Sequence, residues 1–306
     1  MEISVIMATY KEPEYMLRQA IESILQQTYG DFEFIMILDN PQNELHKKII
    51  KEYQEKDNRI RFYINESNMG LPETLNRAIG LTTGKYICRM DADDISLPDR
   101  LERQKRCLKT RKADLLGGIT QIIDENGEEL YSIKHVPVNP EKIKKALKYN
   151  QVLAHPTWFG KREVFINLGG YRKIPLCEDY DFTLRAVMQG YVLTNLDETV
   201  LKYRMTSQSL SRSNLFEQYL YARYITAQYT KNRMADIKAA ARYVESKNNK
   251  KTAARYLKAN VRFNHLLEDV ERKRYLRFFK DGVVFTFTSV YYLDKVMRFV
   301  IVTLCS

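Results

Sequence analysis

The first ninety residues alternate apolar, β-branched runs with amphipathic stretches, and no other feature constrains the fold as strongly. "ISVIMATY" reads as a buried strand. After the turn "KEP", the segment Glu14 to Thr28 sets Leu17, Ala20, Ile21, Ile24 and Leu25 on one helical face. "FEFIMIL" is a second strand that stops at the turn-forming "DNPQN". A helix over roughly Glu44 to Glu55, a strand "IRFYI", a helix from near Pro72 and a strand "KYICRM" continue the series. Strands separated by helices in this way build an α/β parallel sheet covered on both faces. Ligands of such sheets bind beyond the carboxyl ends of the strands, so Thr9, Asp39 and Asp91 to Asp94 should meet at one crevice.

From Asp114 the pattern becomes β-rich and antiparallel-looking. "LLGGITQII" and "LYSIKHV" flank the turn "DENGE", a helix follows near Pro140 to Tyr149, and "YVLTNL" and "TVLKYRM" read as two further short strands. After Ser213 the pattern is helical and rich in Tyr, Lys and Arg. The chain of 306 residues therefore divides into 1–110, 111–213 and a helical extension, 214–306. Charge follows the same division: Tyr229 to Ser306 carries seventeen Lys and Arg against seven Asp and Glu, nearly all of the net +11. Four scattered cysteines without a CxxC pair suggest neither a disulfide framework nor a thiolate zinc site, and "MEISVIMATY" has no basic region of a signal peptide. A cytoplasmic protein is expected.

Asp91, Asp93 and Asp94 crowd into four positions at a strand end, where their repulsion calls for a positive partner. Asp91 and Asp93, two apart in the turn, can face a common point and suit Mg²⁺ or Mn²⁺ carrying a diphosphate. A plainer role, starting the next helix, falls to "SLPD", with Ser96 as N-cap and Asp99 closing a capping box. A second acidic pair, Glu178 and Asp179 in "CEDYDFTLR", either stabilises a helix start through the dipole or serves as a base.

"ISVIMATYKEPEYMLRQAIESILQQTYGDFEFIMILDN", "NMGLPETLNRAIGLTTGKYICRMDADDISLPDRLERQ" and "AHPTWFGKREVFINLGGYRKIPLCEDYDFTLRAVMQG" together resemble three successive signature blocks of the family 2 glycosyltransferases. The resemblance covers about residues 1 to 205 and implies a GT-A fold, a mixed and mostly parallel sheet with a Rossmann-like half, 1–110, that binds the nucleotide-sugar and a half, 111–213, that binds the acceptor. It implies an inverting, metal-dependent transferase using a UDP-sugar with Mn²⁺ or Mg²⁺. Carried over residue by residue, it gives Thr9, Tyr10, Glu12 and Asp39 to the nucleotide, with Asp39 accepting the uracil N3–H. Gly70, Asn76 and Arg77 line the donor site, Arg77 reading equally as a phosphate contact or a solvated helix residue. Asp91 and Asp93 hold the metal, Asp179 is the base and Glu178 its neighbour. "DNPQN" replaces the acidic pair and Gly-Ser usual in the family, and Met205 and Thr206 stand where a metal-reaching His is common, so Arg204 or Arg212 is expected to neutralise the diphosphate. His155 and Trp158 fall on the acceptor side, Trp158 either in the core or stacked on a sugar.

Two other classes compete. Nucleotidyl transfer on a similar fold needs a Gly-rich loop after the first strand, which "ATYKEP" lacks, and a non-catalytic binder would not need Asp39, Asp91, Asp93 and Asp179. In the extension, "RKRYLRFFKDG" followed by "VVFTFTSVYYL" is too short to span a bilayer before Asp294, Lys295 and Arg298, but suits a helix lying on an anionic membrane surface. The competing reading is packing on the catalytic domain. No nucleic-acid motif is present. The expected acceptor is a glycan or lipid-linked oligosaccharide of a surface polysaccharide, met at the cytoplasmic membrane face.

Overall fold

The computed structural model describes residues 1–132, 136–206, 214–271 and 288–305. The opening series is β1 (Ile3–Thr9), α1 (Glu14–Leu25), β2 (Phe32–Leu38), α2 (Glu44–Lys56), β3 (Ile60–Ile64), α3 (Leu71–Leu81) and β4 (Tyr86–Asp91). All four strands are parallel, with Val5 opposite Phe34 on one side and Cys88 on the other. Every residue of β2 is buried, the mark of a strand covered on both faces.

Next come β5 (Ile95–Ser96), α4 (Arg100–Thr110), β6 (Leu115–Ile123), β7 (Glu129–Ser132) and α5 (Pro140–Ala146). A 3₁₀ turn at His155–Thr157, β8 (Phe159–Lys161), α6 (Arg162–Asn167), α7 (Glu178–Met188) and β9 (Leu193–Arg204) follow. They extend the first four strands into one mixed sheet, ordered β3-β2-β1-β4-β8-β6-β9-β5 with β7 beside β6.

Two expectations are corrected here, and a third is met as far as the described residues reach. The two short strands expected after residue 190 are one strand, β9, which pairs with β6 in parallel across a register shift between Gly118 and Thr120. A bulge absorbs the polar "DE" that had looked like a break. The strand expected over "LYSIKHV" is seen only to Ser132, and residues 133–135 lie outside the described residues. The capping box does not form: Ser96 is buried in β5, where its N–H bonds Ser23 Oγ, and α4 starts later, after Asp99. Asp99 pairs with Arg103 at 2.7 Å instead. Strand pairing between β5 and β9 took the residue that the local pattern assigned to a cap.

One layer of core joins Ile6, Ile37 and Ile87 to Leu75, Phe165 and Phe182. The other joins Val5, Met36 and Met90 to Leu17, Ile50 and Leu101. The extension comprises α8 (Leu215–Thr230), α9 (Ile237–Lys247), α10 (Lys250–Glu271) and α11 (Val290–Cys305). Phe216, Tyr219, Tyr256 and Tyr292 belong to the first layer, so these helices pack on the catalytic domain. Arg298 strengthens the join, donating to Tyr149 O at 3.3 Å while paired with Asp294. Among the described residues no helix is long and apolar enough to cross a membrane.

Candidate active site

The carboxyl ends of β1, β2 and β4 lie side by side, and each carries an acid or a hydroxyl in a defined setting. At β1, Thr9 Oγ1 donates to Glu12 Oε2 at 2.6 Å and the Tyr10 N–H adds a second bond at 2.9 Å, folding Glu12 back over the strand end. His46 of α2 buttresses this turn, with Nδ1 2.9 Å from Thr9 Oγ1 and Nε2 2.8 Å from the Glu12 carbonyl. Tyr10 itself stays 38% exposed.

At β2, Asp39 gathers the loop that starts α3. Its Oδ1 accepts from Asn65 Nδ2 at 2.6 Å and Met69 N at 2.8 Å, and its Oδ2 from Gly70 N at 2.8 Å. One lone pair on Oδ2 remains for a further N–H donor. Gly70 has φ +81°, which a side chain rarely adopts. Arg77 donates to Ile64 O at 2.8 Å and to Asn65 Oδ1, so it braces the same loop. Asn76 grips the Tyr171 backbone through both ends of its amide, at 2.9 and 2.7 Å. A Cβ on Gly170 would stand 2.2 Å from Asn76 Oδ1, hence the glycine.

At β4 the positive partner of the crowded acids is an arginine that the sequence reading missed. Arg89, 2% exposed, makes a two-pronged ion pair with Asp91. Alternation along the strand held the clue, since Arg89 and Asp91 are two apart on one face while Cys88 and Met90 face the other core layer. Asp94 is fully buried, with Oδ1 bound by Arg204 N at 2.8 Å and Oδ2 without a partner. The Asp93 carboxyl is pushed up to about 7 by burial and then by the charges of Asp91 and Glu12. Arg204 does not face a ligand as expected. It is 1% exposed and spends its nitrogens on Asp93 O, Asp124 O, Glu125 O and Gln19 Oε1, clamping the acidic turn to the β6–β7 hairpin. Arg212 lies outside the described residues.

On the opposite side, the first turn of α7 holds three acids with separate fates. Asp181 is buried in ion pairs with Arg172 and Arg185. Asp179 Oδ1 accepts from Tyr180 N at 2.7 Å, and its Oδ2 lies 3.4 Å from Gln151 Nε2. Burial raises the Asp179 carboxyl above its usual value, and burial followed by the Asp179 charge pushes Glu178 up to about 7. Glu178 also feels the charges of Arg89 and Asp91, so the two acid groups lie near enough to act on one another. Trp158 is fully buried and donates to Leu153 O at 3.2 Å, which settles it as core rather than sugar platform. His155 meets Trp158 edge-on and lies 2.8 Å from Tyr171 Oη, and burial followed by the Arg89 charge lowers its pKa well below the usual histidine value.

Residues 4–169 match the sequence model of glycosyl transferase family 2. An uncharacterized glycosyltransferase of Methanocaldococcus jannaschii is 40% identical over 232 residues, covering 76% of this chain and 80% of that protein. The chain belongs to glycosyl transferase family 2. WbnJ of Escherichia coli, described as an O-antigen biosynthesis glycosyltransferase, is 36% identical, covering 76% of this chain and 90% of its own length. Among solved structures, S. aureus TarS 1-349 in complex with UDP-GlcNAc superposes with a TM-score of 0.61 at 17% identity, covering 80% of this chain and 70% of that one. That likeness shows the fold, and the α/β GT-A architecture expected from the sequence is the one found. The family 2 model match ends at residue 169, before Glu178 and Asp179.

A divalent cation fits the acidic turn. Asp91, Asp93 and Asp94 each offer a carboxylate oxygen, all within 4.8 Å of one another, and the orphaned Asp94 Oδ2 is a buried acceptor in need of a positive neighbour. An all-oxygen donor set matches Mg²⁺ or Mn²⁺.

Proposed function

We propose that this family 2 glycosyltransferase is inverting and metal-dependent, and transfers a hexosyl or N-acetylhexosaminyl group from a UDP-sugar to a glycan or lipid-linked oligosaccharide during surface-polysaccharide synthesis. The observation that carries this reading is the pairing, near Arg89, of an acidic turn suited to a cation with a second acid pair that has no hydrogen-bonded cation among the described residues. The description of WbnJ as an O-antigen biosynthesis glycosyltransferase and the UDP-GlcNAc bound by TarS support the acceptor and donor classes.

In this reading Tyr10 stacks on the base and Asp39 Oδ2 accepts the uracil N3–H with its remaining lone pair. Thr9 and Glu12 form the floor beneath the ribose, while Gly70, Asn76 and Arg77 keep the neighbouring loop in place. Asp93 and Asp91 would hold Mn²⁺ or Mg²⁺, which would supply positive charge against the leaving diphosphate. Asp179 takes the proton of the acceptor hydroxyl as it attacks the anomeric carbon, and Glu178 orients that hydroxyl. The half 111–213 receives the acceptor. Screening hydrolysis of UDP-, GDP- and dTDP-sugars with Mn²⁺ tests the donor: turnover of a UDP-sugar alone is the expected result, and a preference for GDP- or dTDP-sugars would overturn it.

Peripheral attachment at the cytoplasmic membrane face belongs to the same proposal. It is supported by the exposed apolar residues Val290, Met297, Val300 and Leu304 along α11 and by the basic excess of the extension. The apolar run Val283 to Leu293 singled out in the sequence lies partly outside the described residues. Binding to anionic vesicles that weakens with salt without vanishing is expected, and full-length protein that ignores such vesicles at low salt would refute it.

A further inference from the structure

The acid pair at the start of α7 is gripped from a segment that the reading above leaves without a role. Gln151 lies between α5 and the 3₁₀ turn, and its Oε1 accepts from Val152 N at 3.0 Å and from Leu153 N at 3.3 Å. An amide whose oxygen faces two peptide N–H groups cannot flip without setting its own N–H₂ against them, so Nε2 is committed to Asp179 Oδ2. That contact is 3.4 Å long, and catalytic hydrogen bonds are often longer in the free enzyme than in its complexes.

The support behind Gln151 is rigid. Val152 O accepts from Asn195 Nδ2 of β9 at 3.0 Å, and Leu153 O from Trp158 Nε1. Tyr180 Oη, one residue past Asp179, donates to Leu147 O at 2.8 Å and joins α7 to the same segment. The close approach depends on Gly117, where a Cβ would stand 2.5 Å from Asn195 Oδ1 and 3.3 Å from Leu153.

We infer that Gln151 is the positioning residue of the acceptor-side base, fixing the Asp179 carboxylate in its proton-accepting orientation together with the Tyr180 N–H. This rests on the reading of Asp179 as base. The charged and titratable groups facing Asp179 are Glu178 on its own helix, Cys177 just before it, Tyr180, and Tyr171 and Arg89 across the crevice. Burial raises the carboxyl, and the Tyr180 N–H, Gln151 and Arg89 oppose that rise. Gln151 thus works against the burial that suits Asp179 to a base.

Two variants test the role. Gln151→Leu removes the donor, and the near-isosteric Gln151→Glu sets a carboxylate against a carboxylate. The Asp179 resonance is followed in protein with ¹³C-labelled aspartate carboxyls, assigned by its loss in Asp179→Asn, and the pH profile of Mn²⁺-dependent UDP-sugar hydrolysis is recorded in parallel. UDP binding by each variant confirms that it is folded. The expected result is a midpoint raised by about one pH unit in Gln151→Leu and by more in Gln151→Glu, with the acid limb of turnover moving alongside. A midpoint unmoved in both folded variants overturns the role of Gln151 and leaves the base reading standing. A midpoint that moves while the acid limb stays fixed overturns the base reading, and the positioning role with it.

Discussion

The two acid groups of the crevice differ in where their support comes from. The Asp91–Asp94 turn is built largely from its own strand: Arg89 pairs with Asp91 two residues away, and among the described residues its remote support is the Arg204 clamp on Asp93 and Asp94. The Glu178–Asp179 pair has one local support, the Tyr180 N–H, and otherwise depends on Gln151 and the distant charge of Arg89. A group with its own cation tolerates crowding and still presents oxygens to a second cation. A buried pair without one is driven toward the neutral form, which brings a carboxyl into the range useful to a general base.

Separating the two groups by mutation should give the largest effect at Asp93. Asp93→Ala is expected to abolish Mn²⁺-dependent UDP binding measured by calorimetry while the far-ultraviolet spectrum stays unchanged; intact affinity would remove the metal role. Asp179→Asn should leave that affinity alone and cut turnover by about 10² to 10⁴. If both variants lost nucleotide binding equally, the division of labour would collapse.

Acidity gives a smaller effect. Since burial holds the Asp179 carboxyl above its usual value, protonation removes the base as pH falls, and turnover should drop by about tenfold per pH unit along an acid limb that lies above the ordinary Asp range. An acid limb no higher than that of an ordinary Asp carboxyl would contradict the assignment. The upward shift of Glu178 makes the folded state bind more protons than the unfolded one between the ordinary Glu value and about 7. Stability of the free protein should therefore decline as pH rises through that window, and Glu178→Gln should flatten the decline by about 2–4 °C in Tm.

Arg89→Met strips the donor-side turn of its cation. A loss of about 1–3 kcal/mol by urea denaturation is expected, moderated because Asp91 is 26% exposed and can be hydrated. No loss would mean that the turn does not need its internal partner.

What could be read from the sequence follows from how local each cause is. The runs "FEFIMIL" and "IRFYI" are the observed strands to the residue: the first is buried throughout, which favours apolar side chains, and the second pairs with it as the half-buried edge of the sheet. The crowding of Asp91, Asp93 and Asp94 at a strand end was equally plain, since residues a few positions apart must share a turn. Arg89 was legible in principle through the period of two along β4. Tertiary structure decided the rest. Ser96 left its cap for a ladder with β9, Arg204 turned from ligand binding to clamping a hairpin, and Asp179 acquired a partner twenty-eight residues away. These outcomes depend on which distant backbone groups come within about 3 Å of a side chain, and a hydrogen bond is short enough that sequence spacing cannot foretell its partner.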